Sequence, residues 1–319
     1  MRTVSFLLAV LVVNILSLPA ILSKSFSPYP QLESEARNRA ARNCASAIRA
    51  FQEQRRTIRD FSKKLSGLEK LSNRAINGPL WHKPKGIRNT TCVLTPEVTE
   101  GPYYIKNELV RRDIREGQPG VPLILDIGVL DITTCKPLPN AFVELWNSNS
   151  TGFYSGFTES VLPPPPPGIS PNMTDELDFL RGGWPTNKKG VVEMITTYPG
   201  YYTLRTVHVH TAIQTHWKKA RNGTIISDAG HLLHRGQIFF EDSLTDKVVV
   251  TNAYLNNTKG RTYNSQDGIF QQENSHGYNA IADTYRLGPK IGDGILAYVT
   301  IGVDSTARYS FNSTDYWNP

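Results

Sequence analysis

Several classes of protein are excluded by what this 319-residue chain lacks. It has no Gly-rich phosphate-binding motif, so neither a dinucleotide nor an NTP cofactor is indicated, and no internal repeat. No segment after residue 19 is apolar enough to cross a bilayer. Apolar residues make up 39% and charged residues 20%, a balance that excludes wholesale disorder. Cysteine is scarce, at positions 44, 92 and 135 only. Cys92 and Cys135 both fall in a strand-rich region and are the expected disulfide, which would restrict the unfolded chain by roughly 3–4 kcal/mol. Cys44 is then left over, either buried and free or pairing between chains.

The first residues depart from the globular pattern. Met1 and Arg2 precede an apolar run over 4–19, with small Ala20 and Ser23 after it. Asn14, Ser17 and Pro19 interrupt the run, which favours a cleaved signal peptide over 1–23 rather than a membrane anchor. Six N-x-S/T sequons, at Asn89, Asn149, Asn172, Asn222, Asn256 and Asn312, agree with a secreted, extracellular glycoprotein. No membrane association is expected after cleavage.

Net charge is +7, but residues 31–75 hold eleven Lys and Arg against five Asp and Glu, so six of those seven charges sit in one stretch. Phe51, Ile58, Phe61, Leu65 and Leu68 recur there at helical intervals. Residues 24–77 are therefore expected to form a basic amphipathic helical segment with a solvated polar face, not a nucleic-acid site. Residues 78–90, rich in Pro and Gly, read as a linker.

From residue 91 to 319 the pattern changes to short runs rich in Val, Ile, Thr and Tyr. Leu123–Ile132, Ala141–Trp146, Val191–Thr197, Thr206–Ile213, Gln237–Phe240 and Ile295–Val303 are expected strands. The fold class is mainly β: an antiparallel β-sandwich domain preceded by an N-terminal α-helical segment. Pro163–Pro167 must be an extended surface loop.

His208-Val209-His210 is the first chemical signal. Residues two apart on a strand point to the same face, so both imidazoles converge on one point. Imidazole is a common ligand of transition metals, although an isolated H-x-H is more often structural. Upstream stand Tyr201, Tyr202 and Arg205, and further upstream Gly152-Phe153-Tyr154. Phenolate oxygen is a hard donor suited to a ferric ion.

In this context the chain resembles the intradiol ring-cleavage dioxygenases, with closest similarity to their secreted, single-domain branch. Thr95-Pro96-Glu97 with Glu100-Gly101-Pro102-Tyr103-Tyr104, then Ala141–Trp146 followed by Gly152-Phe153-Tyr154, then Phe179-Leu180-Arg181-Gly182, are similar to that family's motifs. So is Pro199-Gly200-x-Tyr202-x-x-Arg205-Thr206-x-His208-x-His210. The resemblance implies an Fe(III) site made by Tyr154, Tyr202, His208 and His210. It also implies catalytic roles for Tyr202, Arg205 and Gln237, and a substrate pocket beside Pro102 and Tyr103. The implied substrates are a small aromatic diol and O2, giving a muconate-type diacid, with no NAD, flavin or haem. Tyr201, Tyr198-Pro199 and Leu204 depart from the usual pattern. Two alternatives stand beside this reading: a sandwich binding module of the same descent without turnover, and an Fe(II) enzyme using the two histidines with a carboxylate. No suitably spaced Glu follows His210 to serve the latter. Oligomeric state is left open.

Overall fold

In the first strand, β1 (Pro122–Asp131), the alternate residues Leu123, Leu125, Ile127 and Val129 are all fully buried. Those of the last strand, β9 (Ile295–Val303), are Ile295, Ala297, Val299, Ile301 and Val303, also buried. This period of two turns one apolar face inward from each strand. The computed structural model describes residues 39–40, 42–55, 98–160, 171–275 and 278–317. The expected signal peptide, most of the helical segment, the 78–90 linker, Cys92, Asn89, Thr95-Pro96-Glu97 and the proline run lie outside those residues.

In one sheet, β2 (Lys136–Pro137) and β5 (Val191–Thr197) share one edge of β1, while β9 lies on its other side with β8 (Asp283–Arg286) beyond. The second sheet runs β4 (Arg181–Pro185), β3 (Phe142–Trp146), β6 (His208–Thr215), β7 (His231–Phe239), all antiparallel. Val143 and Leu145 of β3 and Val209 and Ile213 of β6 meet the inward faces of β1, β5 and β9 in one core. The sandwich is as expected except for the β1–β9 pair, which is parallel. A parallel neighbour needs a long return connection, and here nearly the whole domain lies between the two strands. β4 was not anticipated, because its sequence Arg-Gly-Gly-Trp-Pro is poor in strand formers.

Helical residues 45–55, α1, lie on the outer face of the β1 sheet. Ile48, Phe51 and Arg55 point the same way, and Ile48 and Phe51 cluster with Leu130 and Ile132. Arg55 Nη1 donates to Thr300 Oγ1 (2.9 Å) and Nη2 to the Asp126 carbonyl (2.7 Å), beside an ion pair with the Asp126 carboxylate. Gly128 permits this contact. A Cβ there would stand 2.4 Å from Arg55 Nη1 and 2.7 Å from Phe51 Cε1.

The disulfide differs from the expected one. Cys44 pairs with Cys135, 91 residues apart, with Cα atoms at 5.1 Å. Grouping the cysteines by strand content missed that α1 crosses the β1 sheet and brings Cys44 to the β1–β2 turn. The described part of the helical segment thus covers its own sandwich. No helix among the described residues is long and apolar enough to cross a membrane.

Candidate active site

The second sheet's outer face carries polar chemistry because its strands alternate. Trp146 pairs with His210, and His210 with Gln237, forming one row across β3, β6 and β7. His208 is one step further along β6 on the same face, opposite Phe239. The residues between them, Val209 and Leu145, face the core.

Loops roof this face. Tyr154 lies in the loop after β3, which Asn149 organises by accepting hydrogen bonds from the Thr151 and Phe153 amides. Tyr202 and Arg205 span a tight turn closed by the Arg205 amide on the Tyr202 carbonyl (3.3 Å). A third loop brings Gly101 over His210. Its φ is +79°, and a Cβ would stand 2.8 Å from His210 Cε1, so only glycine suits the position. Glu100 anchors that loop by accepting from Arg235 Nη1 (3.0 Å) and from the Ser313 amide (2.6 Å).

Four donor atoms converge beneath these loops. His208 Nε2 is 3.4 Å from Tyr154 Oη, 3.3 Å from Tyr202 Oη and 3.1 Å from His210 Nε2. Atoms bound at about 2 Å to one ion are spaced by about this much. His208 Nδ1 donates to the Thr206 carbonyl at 2.6 Å, which leaves the Nε2 lone pair directed into the cluster. His210 stacks on Trp146, with centroids 4.9 Å apart and planes 7° apart, and its Nδ1 is buried without a hydrogen-bond partner among the described residues. Burial, reinforced by the Arg205 charge, pushes His208 down to about 3. Burial and then His208 hold His210 well below its usual range, so both rings are neutral. Burial pushes both phenols up, with Tyr154 raised further by Tyr202 and Tyr202 drawn back by Arg205.

This donor set suits a ferric ion. Two neutral imidazoles and two buried phenols are available, and ionising a buried phenol requires a compensating cation. Among the described residues, no group of three or more His, Cys, Asp or Glu forms a metal site, whereas both phenol oxygens lie within 3.4 Å of His208 Nε2.

Arg205 Nε donates to Asp267 Oδ2 (2.9 Å), and its Nη2 donates to Gln237 Oε1. Asp267 also accepts from the Thr206 amide (2.8 Å) and caps the helix α2 (Gly268–Glu273). The Gln237 amide donates to Glu273 Oε1 at 2.8 Å. Asp267 and Glu273 were missed in the sequence. Their partners, Arg205 and Gln237, lie 62 and 36 residues away and could not be read from the local sequence.

A small pocket opens beside the cluster, lined by Tyr103, Phe153, Tyr154, Phe157 and Tyr202 among others. Tyr103 stacks on Tyr154 with centroids 4.9 Å apart. Pro102, expected beside it, is half-buried and does not line the pocket.

A two-sheet sandwich bearing a buried pair of tyrosines and a pair of histidines on one outer face defines the class. The dioxygenase family model matches residues 96–276, more than half of the chain. The chain belongs to the intradiol ring-cleavage dioxygenase family. An intradiol ring-cleavage dioxygenase from Tetranychus urticae is similar in structure, with a TM-score of 0.58 and 31% identity over 69% of this chain and 98% of that one. Catechol 1,2-dioxygenase of Acinetobacter baylyi is 30% identical over 136 residues, 39% of this chain and 42% of that enzyme. Catechol 1,2-dioxygenase 1 of Acinetobacter lwoffii is 31% identical over 142 residues, 43% of this chain and 40% of that enzyme. The chain thus spans less than half the length of these two relatives.

Proposed function

We propose that this protein is a secreted Fe(III)-dependent intradiol dioxygenase that converts catechol-type aromatics and O2 to muconate-type diacids. The convergence of Tyr154, Tyr202, His208 and His210 on His208 Nε2 carries this reading. These four side chains would hold the ion, which when bound supplies the Lewis acidity that makes a chelated diol ring reactive toward oxygen.

The chain's own residues do the rest. Ionised against the bound cation, Tyr202, on a short turn, would be the phenolate placed to take a proton at Oη from an incoming hydroxyl, whereas Tyr154 is held by packing against Tyr103. Arg205 is a fixed positive charge beside Tyr202, oriented by Asp267 and Gln237 toward the negative charge that develops during oxygen insertion. Tyr103 and Phe157 form an aromatic wall for a planar ring and exclude water.

Secretion is supported by the signal-like N-terminus, by a disulfide suited to an oxidising compartment, and by exposed sequon asparagines at 172, 222, 256 and 312. The deciding experiment is to load purified protein with Fe(III) and add catechol, first without and then with O2. A phenolate-to-iron colour that changes on anaerobic binding, followed by formation of the diacid, is expected. A colourless protein at full iron occupancy would defeat the proposal.

A further inference from the structure

Arg181, at the start of β4, is 0% exposed, and a guanidinium so buried needs partners along its donor edges. Most of them belong to the segment that carries Tyr154. Nε donates to Ser155 Oγ (2.9 Å) and Nη2 to the Ser155 carbonyl (2.7 Å). Ser155 donates its own hydroxyl to the Phe179 carbonyl at 2.6 Å, so the contact is locked from both sides. The guanidinium carbon lies 5.8 Å from the Tyr154 ring centroid and 5.7 Å from that of Phe157, within reach for a cation–π interaction.

The remaining face of Arg181 meets buried acids. Nη1 is 3.5 Å from Glu108 Oε1, and that carboxylate is 1% exposed. Glu144, 0% exposed on β3, lies in the same cluster and accepts from Gln214 Nε2 at 3.3 Å. Burial pushes Glu144 up to about 8, with Glu108 adding to the effect, and pushes Glu108 up to about 7 against the pull of Arg181. At neutral pH these acids only partly balance the guanidinium. The Tyr154 and Phe157 rings therefore face a net cation.

We propose that Arg181 is the positioning residue of Tyr154: it pins the 154–157 segment through both edges of Ser155 and stands as a fixed positive charge beside the phenol ring, while Glu108 holds the guanidinium in place. This rests on the iron reading above.

The test compares iron-loaded wild type with Arg181→Lys, Arg181→Met and Ser155→Ala. Arg181→Lys keeps the charge but loses the forked hold on Ser155. It is expected to shift the phenolate-to-iron absorption band and to speed iron loss to a chelator by about 10-fold or more. Arg181→Met, lacking the charge as well, should shift the band further. If it does not fold, Arg181→Lys and the milder Ser155→Ala still decide the matter. Folded Arg181→Lys and Ser155→Ala proteins with wild-type band position and iron-loss rate would overturn the inference. So would a fall in melting temperature with no change in the band, which is a structural role alone. A wild-type protein that shows no such band overturns the iron reading and this inference with it. A normal wild-type band with unmoved variants removes only the role of Arg181.

Discussion

At the scale of single residues, the site divides into donors and the groups that aim them. His208 and His210 were legible in the sequence because a strand's period of two places them on one face whatever surrounds them. Tyr154 was legible only by resemblance, since nothing local distinguishes it from a structural tyrosine in a loop. Asp267 was not legible, because its role depends on Arg205 arriving from 62 residues away. That role leads to a prediction. Arg205→Ala should retain iron and its colour yet lower kcat by roughly 10²–10³-fold, the scale for removing a preorganised charge from a developing anion. Asp267→Asn keeps the helix cap but weakens the hold on Arg205. We expect a smaller loss, and in the double variant little beyond that of Arg205→Ala alone. Steady-state kinetics on the three iron-matched proteins checks this. Additive losses would mean that Asp267 acts independently of Arg205.

At the scale of elements, the strands were largely visible because β1, β3, β5, β6 and β9 each pair an apolar run with flanking turn residues. The placement of α1 was not. Its amphipathic stripe says that it buries one face, not which sheet receives it. That choice is fixed by Gly128, which leaves room for Phe51 and Arg55, and by Asp126, which meets the Arg55 charge. The cysteine pairing was misread for the same reason, as it follows from where α1 lies. The Cys44–Cys135 bridge closes a separation of 91 residues, for which the chain-entropy model gives about 4–5 kcal/mol. Cys135→Ser is expected to lower unfolding free energy by roughly 2–5 kcal/mol, the usual cost of losing a native disulfide. Urea denaturation of variant and wild type, the latter with and without reductant, measures it. Reduced wild type should match the variant; if both unfold with oxidised wild type, the bridge contributes nothing. On the opposite face, Gly101→Ala brings a Cβ against His210 at a positive φ. About 1–2 kcal/mol of backbone cost and a loss of iron affinity of about 10-fold or more are expected, read by thermal melting and chelator competition.

At the scale of the whole molecule, the sandwich is buried on both faces of its second sheet, by the core on one side and by the site's loops on the other. Two carboxyls buried by that second sheet are raised into the neutral range, and they shape how stability depends on pH there. Glu144, with an ordinary value of 4.5, is held at about 8, and Glu108 at about 7. A carboxyl raised on folding keeps its proton in the native state while the unfolded chain releases it. Its stabilising contribution is therefore complete below 4.5 and is lost as pH rises toward the folded value. His208 runs the other way, being held at about 3 against an ordinary 6.5, so it costs stability only below 6.5. Lys259, lowered by burial from 10.5 to about 8, penalises folding below about 10.5 and recovers stability only as pH climbs above 8. Between pH 6.5 and 8 the raised carboxyls act almost alone, and unfolding free energy should fall there by up to about 1.4 kcal/mol per pH unit for Glu144. Glu144→Gln removes the titrating group while keeping its shape, and should flatten most of that fall. Urea midpoints for both proteins at pH 6.5 and 8.0 test the point. Parallel declines in wild type and variant would mean that Glu144 does not keep its proton in the folded state, and that the cluster around Arg181 is more anionic at neutral pH than its burial implies.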